Sequence, residues 1–379
     1  MFKNVILPAS LLAGTIIGAG VFALPYVFVK AGILTGLFYL LIFSAVFTLI
    51  HLMYADIILR TKENRRFFGY AEIYLGNWGK WLAILTTIVG MIFILTVYLI
   101  LSVSFFNLIP QNLVFPDIYK ILIFWFFGSL AVFMGINRLA ITEFLITFGI
   151  AGIILIIFGY GFGNLKQAVS ILSFDLKYLF LPYGAVLFSL AGRSAIPALL
   201  GYFRNNNQPQ LKARIPIILG SLAPAFIYLI FIFGILSLSG TVSQDSVSGL
   251  IGRLPLSILG LLGGLGLISL WSSYIVIGRD IKKSFEHDFN FPQIFSGLIV
   301  VLSPLFLYFM GFQNFLKLVG LAGGVFIGLE SIFIVLMWLK ARKSGDEERG
   351  VFFRKLNPFI ICALLLVFIG GIIYSFVKF

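Results

Sequence analysis

Apolar runs long enough to cross a bilayer follow one another along almost the whole chain. A membrane-spanning helix takes roughly 20 apolar residues. About eleven segments qualify, near residues 6–29, 33–59, 79–106, 118–134, 139–163, 178–202, 213–239, 254–278, 291–310, 314–339 and 353–377. Inside lipid a backbone must satisfy its own hydrogen bonds, so only helices and closed barrels cross it. Segments of this length predict an all-α integral membrane protein with about eleven transmembrane helices. Composition agrees: 60% of the 379 residues are hydrophobic and 11% are charged, against about 25% charged in ordinary soluble domains. No polar stretch is long enough for a soluble domain, and the chain reads as one transmembrane domain. The first apolar run is too long for a signal peptide, and Pro8 interrupts it, so it is expected to be a retained span.

Charge assigns the sides. With the N-terminus in the cytoplasm, the clusters Arg60–Arg66, Arg279–Lys283 and Lys340–Arg349 all fall inside. Only Lys30, Lys120, Lys166, Lys177, Arg253, Lys317 and Lys378 fall outside. This is the positive-inside pattern. It places the C-terminus outside and predicts a multi-pass protein of the cell membrane. It also explains the net charge of +13 without a nucleic-acid partner. Residues 67–76 mix aromatic and polar side chains and read as a short interfacial helix.

Enzymatic chemistry finds no support. Neither a Walker loop, nor a His-Glu-x-x-His pair, nor a paired-carboxylate metal motif occurs. One cysteine, Cys362, excludes an internal disulfide and a cysteine metal cluster. His51 and His287 stand far apart and make a poor metal set. The glycine-rich run 260–266 lies inside a span and reads as helix packing. With no nucleotide site, the energy for any work across the membrane comes from an ion gradient.

Two segments are interrupted. Segment 1 carries Gly14-Thr15-Ile16-Ile17-Gly18-Ala19-Gly20-Val21-Phe22-Ala23-Leu24-Pro25. Glycine loosens a helix and proline removes an amide donor. Broken backbone at membrane depth is tolerated only where it is buried in protein or lines a cavity; the alternative is a small-residue face for close helix packing. In segment 6, small and polar residues from Ser189 to Ser194 break the run, between Pro182 and Pro197. The two segments lie five spans apart. An odd offset gives two five-helix halves of opposite topology, about 6–163 and 178–339, with 353–377 as an extra helix. Interrupted spans at matching positions of inverted repeats point to a secondary-transporter site.

The segment 1 stretch resembles the first-helix signature of the amino acid–polyamine–organocation superfamily. Leu181-Pro182 through Ser189, with Ala195-Ile196-Pro197, resembles segment 6 of its amino acid/auxin and aromatic (tryptophan/tyrosine) amino acid permeases. The resemblance implies a LeuT-type 5+5 inverted repeat with discontinuous helices 1 and 6. It also implies cation-coupled amino acid symport by alternating access. A sensor on the same scaffold and an exchanger of organic cations are the other readings. A sensor commonly carries a soluble extension, and an organic-cation site needs more acid than Glu330.

An amino acid zwitterion needs amides for its carboxylate and carbonyls for its ammonium. Half-helix ends supply both. Segment 1 offers Ile17, Gly18, Ala19, Gly20 and Val21. Segment 6 offers Phe188, Ser189, Leu190, Ala191 and Arg193. The aromatic content is compatible with a bulky apolar substrate. In segment 8, the hydroxyls of Ser269-Leu270-Trp271-Ser272-Ser273 suit a hard cation or bond back to the preceding turn. The resemblance implies a sodium site using the carbonyls of Gly14, Ile17 and Ser269 with the hydroxyls of Ser272 and Ser273. No cofactor is expected beyond sodium or a proton as coupling ion. The expected partners are the amino acid and the lipid bilayer.

Two charges sit at mid-depth, Arg193 and Glu330. A charge at the bilayer centre costs about 2.5–3.5 kcal/mol on insertion scales, which marks such residues as functional. They are expected to pair across the extracellular side of the site, as a gate or a charge sensor. Otherwise Arg193 binds the substrate carboxylate, stands in for the coupling cation, or snorkels to an interface. His51 reads as a packed neutral side chain. Asp56 and Glu143 read as surface partners of Arg60 and Arg138.

Overall fold

The computed structural model describes residues 2–63, 65–109, 115–134, 140–164, 174–238, 241–344, 352–353 and 356–378. Among these residues every regular element is helical. In chain order the α-helices are α1 (Leu7–Ile16), α2 (Leu24–Ala31), α3 (Ile33–Arg60), α4 (Phe67–Leu108), α5 (Asp117–Met134), α6 (Ala140–Gly161) and α7 (Leu181–Leu190). Then follow α8 (Ile196–Asn205), α9 (Arg214–Leu238), α10 (Leu256–Asp288), α11 (Gln293–Phe309), α12 (Phe315–Leu321), α13 (Gly328–Ser344) and α14 (Pro358–Lys378). Nine helical stretches are long and apolar enough to cross a membrane. The pair formed by Phe2–Ile16 and Ala19–Ala31, bent by 50°, makes a tenth. Helix α11 is apolar but shorter, at 17 residues, and reaches about 26 Å.

The layering follows from what each helix meets. Two-thirds of the most apolar stretch of α4 is buried, as it is in the segment made of α7 and α8. In α14 the share is 28%. The chain therefore wraps peripheral helices around α4 and the two interrupted segments. Phe38, Leu41, Leu85, Phe226 and Leu366 remain exposed, as side chains facing lipid must be. Glycine sets the closest crossing: a Cβ on Gly323 would lie against the Gly184 carbonyl oxygen. Gly323 sits in six residues of π-helix, Ala322–Ile327, between α12 and α13. That turn presses segment 10 onto α7.

Residues 67–75 do form a short helix, set off from the rest of α4 by Gly76 at φ 77°. This is left-handed backbone that glycine adopts without strain. Its aromatics Phe67, Phe68, Tyr70 and Tyr74 are buried. The helix thus packs inward, not along the headgroups as an interfacial helix would.

Asp56 also departs from expectation. It pairs with Arg60 at 3.0 Å, but neither side chain is exposed. Asp56 Oδ2 also accepts from Trp338 Nε1 at 2.8 Å, and Oδ1 accepts from the Phe352 amide at 2.8 Å. Arg60 Nη2 donates to the Phe353 carbonyl at 2.9 Å. The cluster joins α3, α13 and residues 352–353. Three of its partners come from nearly 300 positions away, which is why the local pattern suggested an exposed pair. The Glu143 side chain and Arg138 lie outside the described residues.

A surface pair is worth about 0–1 kcal/mol, whereas removing one partner of a buried pair costs about 3–5 kcal/mol. Asp56→Ala should therefore lower the thermal unfolding midpoint of the detergent-solubilised protein by many degrees. An unchanged midpoint would show that this cluster does not hold the helix ends together.

Candidate functional site between the two interrupted segments

Segment 1 stops being an α-helix at Ile16. The Ile17 amide still donates to Ala13, at 2.8 Å, but Ile17 itself sits at φ −75°, ψ 81°. That is the conformation of an inverse γ-turn. It is closed by the Gly18 amide donating to the Ile16 carbonyl at 2.8 Å. A 3-10 turn, Ala19–Ala23, then leads into α2. Segment 6 stops at Leu190, passes through extended Ala191 (φ −69°, ψ 126°), and restarts with the 3-10 turn Arg193–Ala195.

The two breaks interlock. A Cβ on Gly20 would fall 2.5 Å from Ser189 Cα, and one on Gly192 would fall 2.6 Å from Ile16 Cγ1. Both positions therefore need glycine for space. Gly18 does not: its nearest neighbours would be Tyr98 Oη at 3.7 Å and Ser273 Oγ at 3.8 Å.

One side chain foreign to both segments completes the junction. The hydroxyl of Tyr228, a fully buried residue of α9, lies 2.8 Å from the Ile16 carbonyl and 2.8 Å from the Ser189 carbonyl. These are the oxygens that the two breaks release from their helices. In an apolar environment an unmatched carbonyl costs about 1–3 kcal/mol, and here two carbonyls share the one proton of a single hydroxyl, the Ile16 oxygen also accepting from the Gly18 amide.

A cavity of about 80 Å³ opens at this junction. Of the expected substrate residues, Gly18, Ala19, Gly20, Phe188, Ala191 and Arg193 line it. Ile17, Val21, Ser189 and Leu190 are buried but lie outside the lining. The Gly18 amide is already used by the γ-turn and the Ser189 carbonyl by Tyr228. The amides left at the start of the segment 1 restart are those of Ala19 and Gly20, since the first turn of a helix has no internal acceptors for them.

Sequence reasoning missed the opposite wall. Thr87, Gly90, Met91, Ile94 and Tyr98 of α4 line the cavity, with Ile277 of α10 and Phe326 of the π-helical turn. No motif announces them, because α4 is an unbroken helix at that depth. Thr87 left a faint signal, as a hydroxyl on an apolar span. Thr86 and Thr96 on the same helix bond back to Leu82 and Ile92. The Thr87 hydroxyl is buried with no partner.

For the expected ion site, Ser273 stands beside the segment 1 break, near Gly18. Ser269 and Ser272 are buried on the same helix, and Gly14 and Ile17 are buried at the end of segment 1's first half. Trp271 turns the other way, donating to the Phe124 carbonyl at 2.9 Å and stacking on that ring.

Arg193 Nε donates to Glu330 Oε1 at 2.6 Å, and both side chains are largely buried. Both line the cavity. The Arg193 guanidinium sits 4.4 Å from the Phe67 ring centre and 5.8 Å from that of Tyr54. It therefore does not snorkel. Nor is the pair on the side expected. Arg193 also lines a second cavity, of about 410 Å³, together with Arg65, Arg66, Arg279 and Lys283. Arg193 thus faces the end that carries the basic loops, opposite to the end expected for the pair. The reason is local: Arg193 opens the half of segment 6 that runs on to Arg204 and that same end.

A model of the tryptophan/tyrosine permease family matches residues 1–377. The chain belongs to that family. Over 357 residues the permease is 23% identical to glutamine transporter 2 of Aliivibrio fischeri, covering 90% of each chain. Its fold matches MhsT, solved in complex with L-phenylalanine, with a TM-score of 0.67 at 18% identity, over 100% of this chain and 98% of that one. The LeuT-type architecture is thereby established, with the broken first and sixth segments at its centre. The permease is a multi-pass membrane transporter of amino acids and not an enzyme.

If Tyr228 holds the two breaks in register, Tyr228→Phe leaves the Ser189 carbonyl unanswered at about 1–3 kcal/mol, and the Ile16 carbonyl with the Gly18 amide alone. The variant should bind substrate roughly tenfold more weakly, measured by scintillation proximity on purified permease. Unchanged affinity would mean that the breaks keep their geometry without the hydroxyl.

Proposed function

We propose that this permease is a secondary active symporter that takes up a bulky neutral amino acid together with a cation, by alternating access. The observation that carries the reading is the meeting of both helix breaks at one buried cavity. The Ala19 and Gly20 amides suit the substrate carboxylate, at the positive end of a helical run. Carbonyls at the end of α7, at Phe188 and Leu190, suit its ammonium. The two inverted repeats are about 6–163 and 178–339, with 353–377 outside them. The basic loops face the cytoplasm by the positive-inside rule. The N-terminus then lies inside and the C-terminus outside.

The side-chain pocket is the wall of Met91, Ile94, Ile277 and Phe326. The family description and the phenylalanine bound to MhsT support an aromatic substrate. The unpartnered Thr87 hydroxyl adds a hydrogen-bond site for a polar tip, such as an indole N–H, a phenol or a side-chain amide. A site built to hydrogen-bond a side chain rejects analogues that lack the group.

Sodium is the coupling ion of first choice, held by the carbonyls of Gly14, Ile17 and Ser269 and the hydroxyls of Ser272 and Ser273. The closeness of Ser273 to the segment 1 break supports it. Proteoliposome uptake of labelled tryptophan, tyrosine, phenylalanine and glutamine, each with and without an inward sodium gradient, tests the whole reading. Uptake should concentrate an aromatic amino acid and require sodium. Uptake indifferent to sodium and abolished by a protonophore would overturn the Ser272/Ser273 assignment and leave a proton as the coupling ion.

The Arg193–Glu330 pair is the inner gate. It stands between the central cavity and the cytoplasmic one, where its formation closes the way inward. Removing one member of a buried pair strands the other, so the pair behaves as a unit. Arg193→Gln and Glu330→Gln should each cut uptake severely, and the double variant should lose less than the two losses combined. Simply additive losses would show that the two side chains work apart.

A further inference from the structure

The cavity at the basic end is larger than the central one and has a chemistry of its own. Five cations line it: Arg65, Arg66, Arg193, Arg279 and Lys283. Asp280 is its one acid, 3.4 Å from Arg66 Nη1. Tyr54, Phe67, Phe68 and Val276 give it an apolar wall, and both phenylalanines are buried there. The positive-inside rule accounts for basic residues in these loops. It does not require them to ring a pocket with an aromatic wall.

Arg193 belongs to both cavities. Its Nε–H is engaged by Glu330, which uses one of the five N–H groups of a guanidinium. A carboxylate arriving in the basic cavity meets a cation already shared with the central site. Such charge-assisted bonds to arginine are strong and bidentate where geometry allows.

Resting on the transport reading above, we propose that the basic cavity is a second, weaker binding site for the transported amino acid. It receives the substrate on the cytoplasmic side of Arg193. The cations, with Arg279 and Lys283 foremost, take the carboxylate. Asp280 takes the ammonium. Tyr54, Phe67, Phe68 and Val276 take the side chain. The site holds the substrate after it passes the Arg193–Glu330 pair, and its carboxylate competes with Glu330 for Arg193. Cytoplasmic substrate thereby acts on the inner gate.

Equilibrium dialysis of the purified permease tests this with labelled tryptophan, tyrosine, phenylalanine and glutamine, each assayed alone, and with the α-carboxamide of the bound amino acid as competitor. The wild type should show a tight and a weak component, approaching two ligands per chain. Arg279→Gln combined with Lys283→Gln should weaken the weak component about tenfold or more, as expected for lost hydrogen bonds to charged groups. The tight component should stay unchanged and so report intact folding. The carboxamide should fail to displace the weak component. A single component at one ligand per chain overturns the second site and leaves the transport reading standing. So does a weak component that survives in the double variant or yields to the carboxamide. Absence of binding for all four amino acids overturns the transport reading, and the second site with it.

Discussion

Everything in this structure depends on how the protein meets a rule of the lipid phase: no backbone polar group at membrane depth goes unanswered. Unbroken helices meet it by themselves. Segments 1 and 6 break, and the protein must meet it by other means. At segment 1 a γ-turn recovers one bond, from Gly18 to Ile16. Across the junction the Tyr228 hydroxyl reaches the Ile16 and Ser189 carbonyls at once. What remains unmatched, chiefly the first amides of each restarted half, is what a zwitterion can use. Binding capacity here is the remainder of a hydrogen-bond account left open at one place.

The same reasoning separates the buried charges. Asp56 and Arg60 are surrounded by donors and acceptors that fit them, from α13 and from residues 352–353. Such a cluster holds helix ends in place. Arg193 and Glu330 hold each other across a cavity, with aromatic rings of Tyr54 and Phe67 against the guanidinium. Of the two, Arg193 lines both the central and the basic cavity, and Glu330 lines the central one. The Asp56–Arg60 cluster is met by hydrogen bonds from several segments of the chain, which lowers its cost of burial, while the Arg193–Glu330 pair borders open space.

Much of this was legible in the sequence. Apolar run length gave the helices, and the glycines with Pro25, Pro182 and Pro197 gave the two breaks. The five-span offset gave their opposed polarity. Arg193 and Glu330 stood out because charge at mid-depth is rare. What stayed hidden came from contacts distant in the chain. Tyr228 is one of 15 tyrosines, and nothing near it tells that its hydroxyl reaches two other segments. Thr87 looks like Thr86 until the cavity is known. Counting residues gives the depth of Arg193 in a span, but not which half of a broken helix owns it. For that reason Arg193 was expected at the end opposite to the basic loops that it faces.

Glycine explains how such a junction can both fit closely and move. Gly20 against Ser189 and Gly323 against Gly184 bring backbones into contact, and Gly192 lets the Ile16 side chain lie against the glycine backbone. Larger side chains at those crossings would key the helices together, since packed interiors yield in steps and not smoothly. Smooth backbone surfaces leave dispersion and a few hydrogen bonds as the resistance to sliding. A transporter of this architecture must rock one group of helices against another, and the crossings that hold the site together are also those that resist such motion least. The π-helical turn at Ala322–Ile327 belongs to the same logic. It widens segment 10 where it crosses α7 at Gly184, and it brings Phe326 and Glu330 to the cavity that α7 and α8 open.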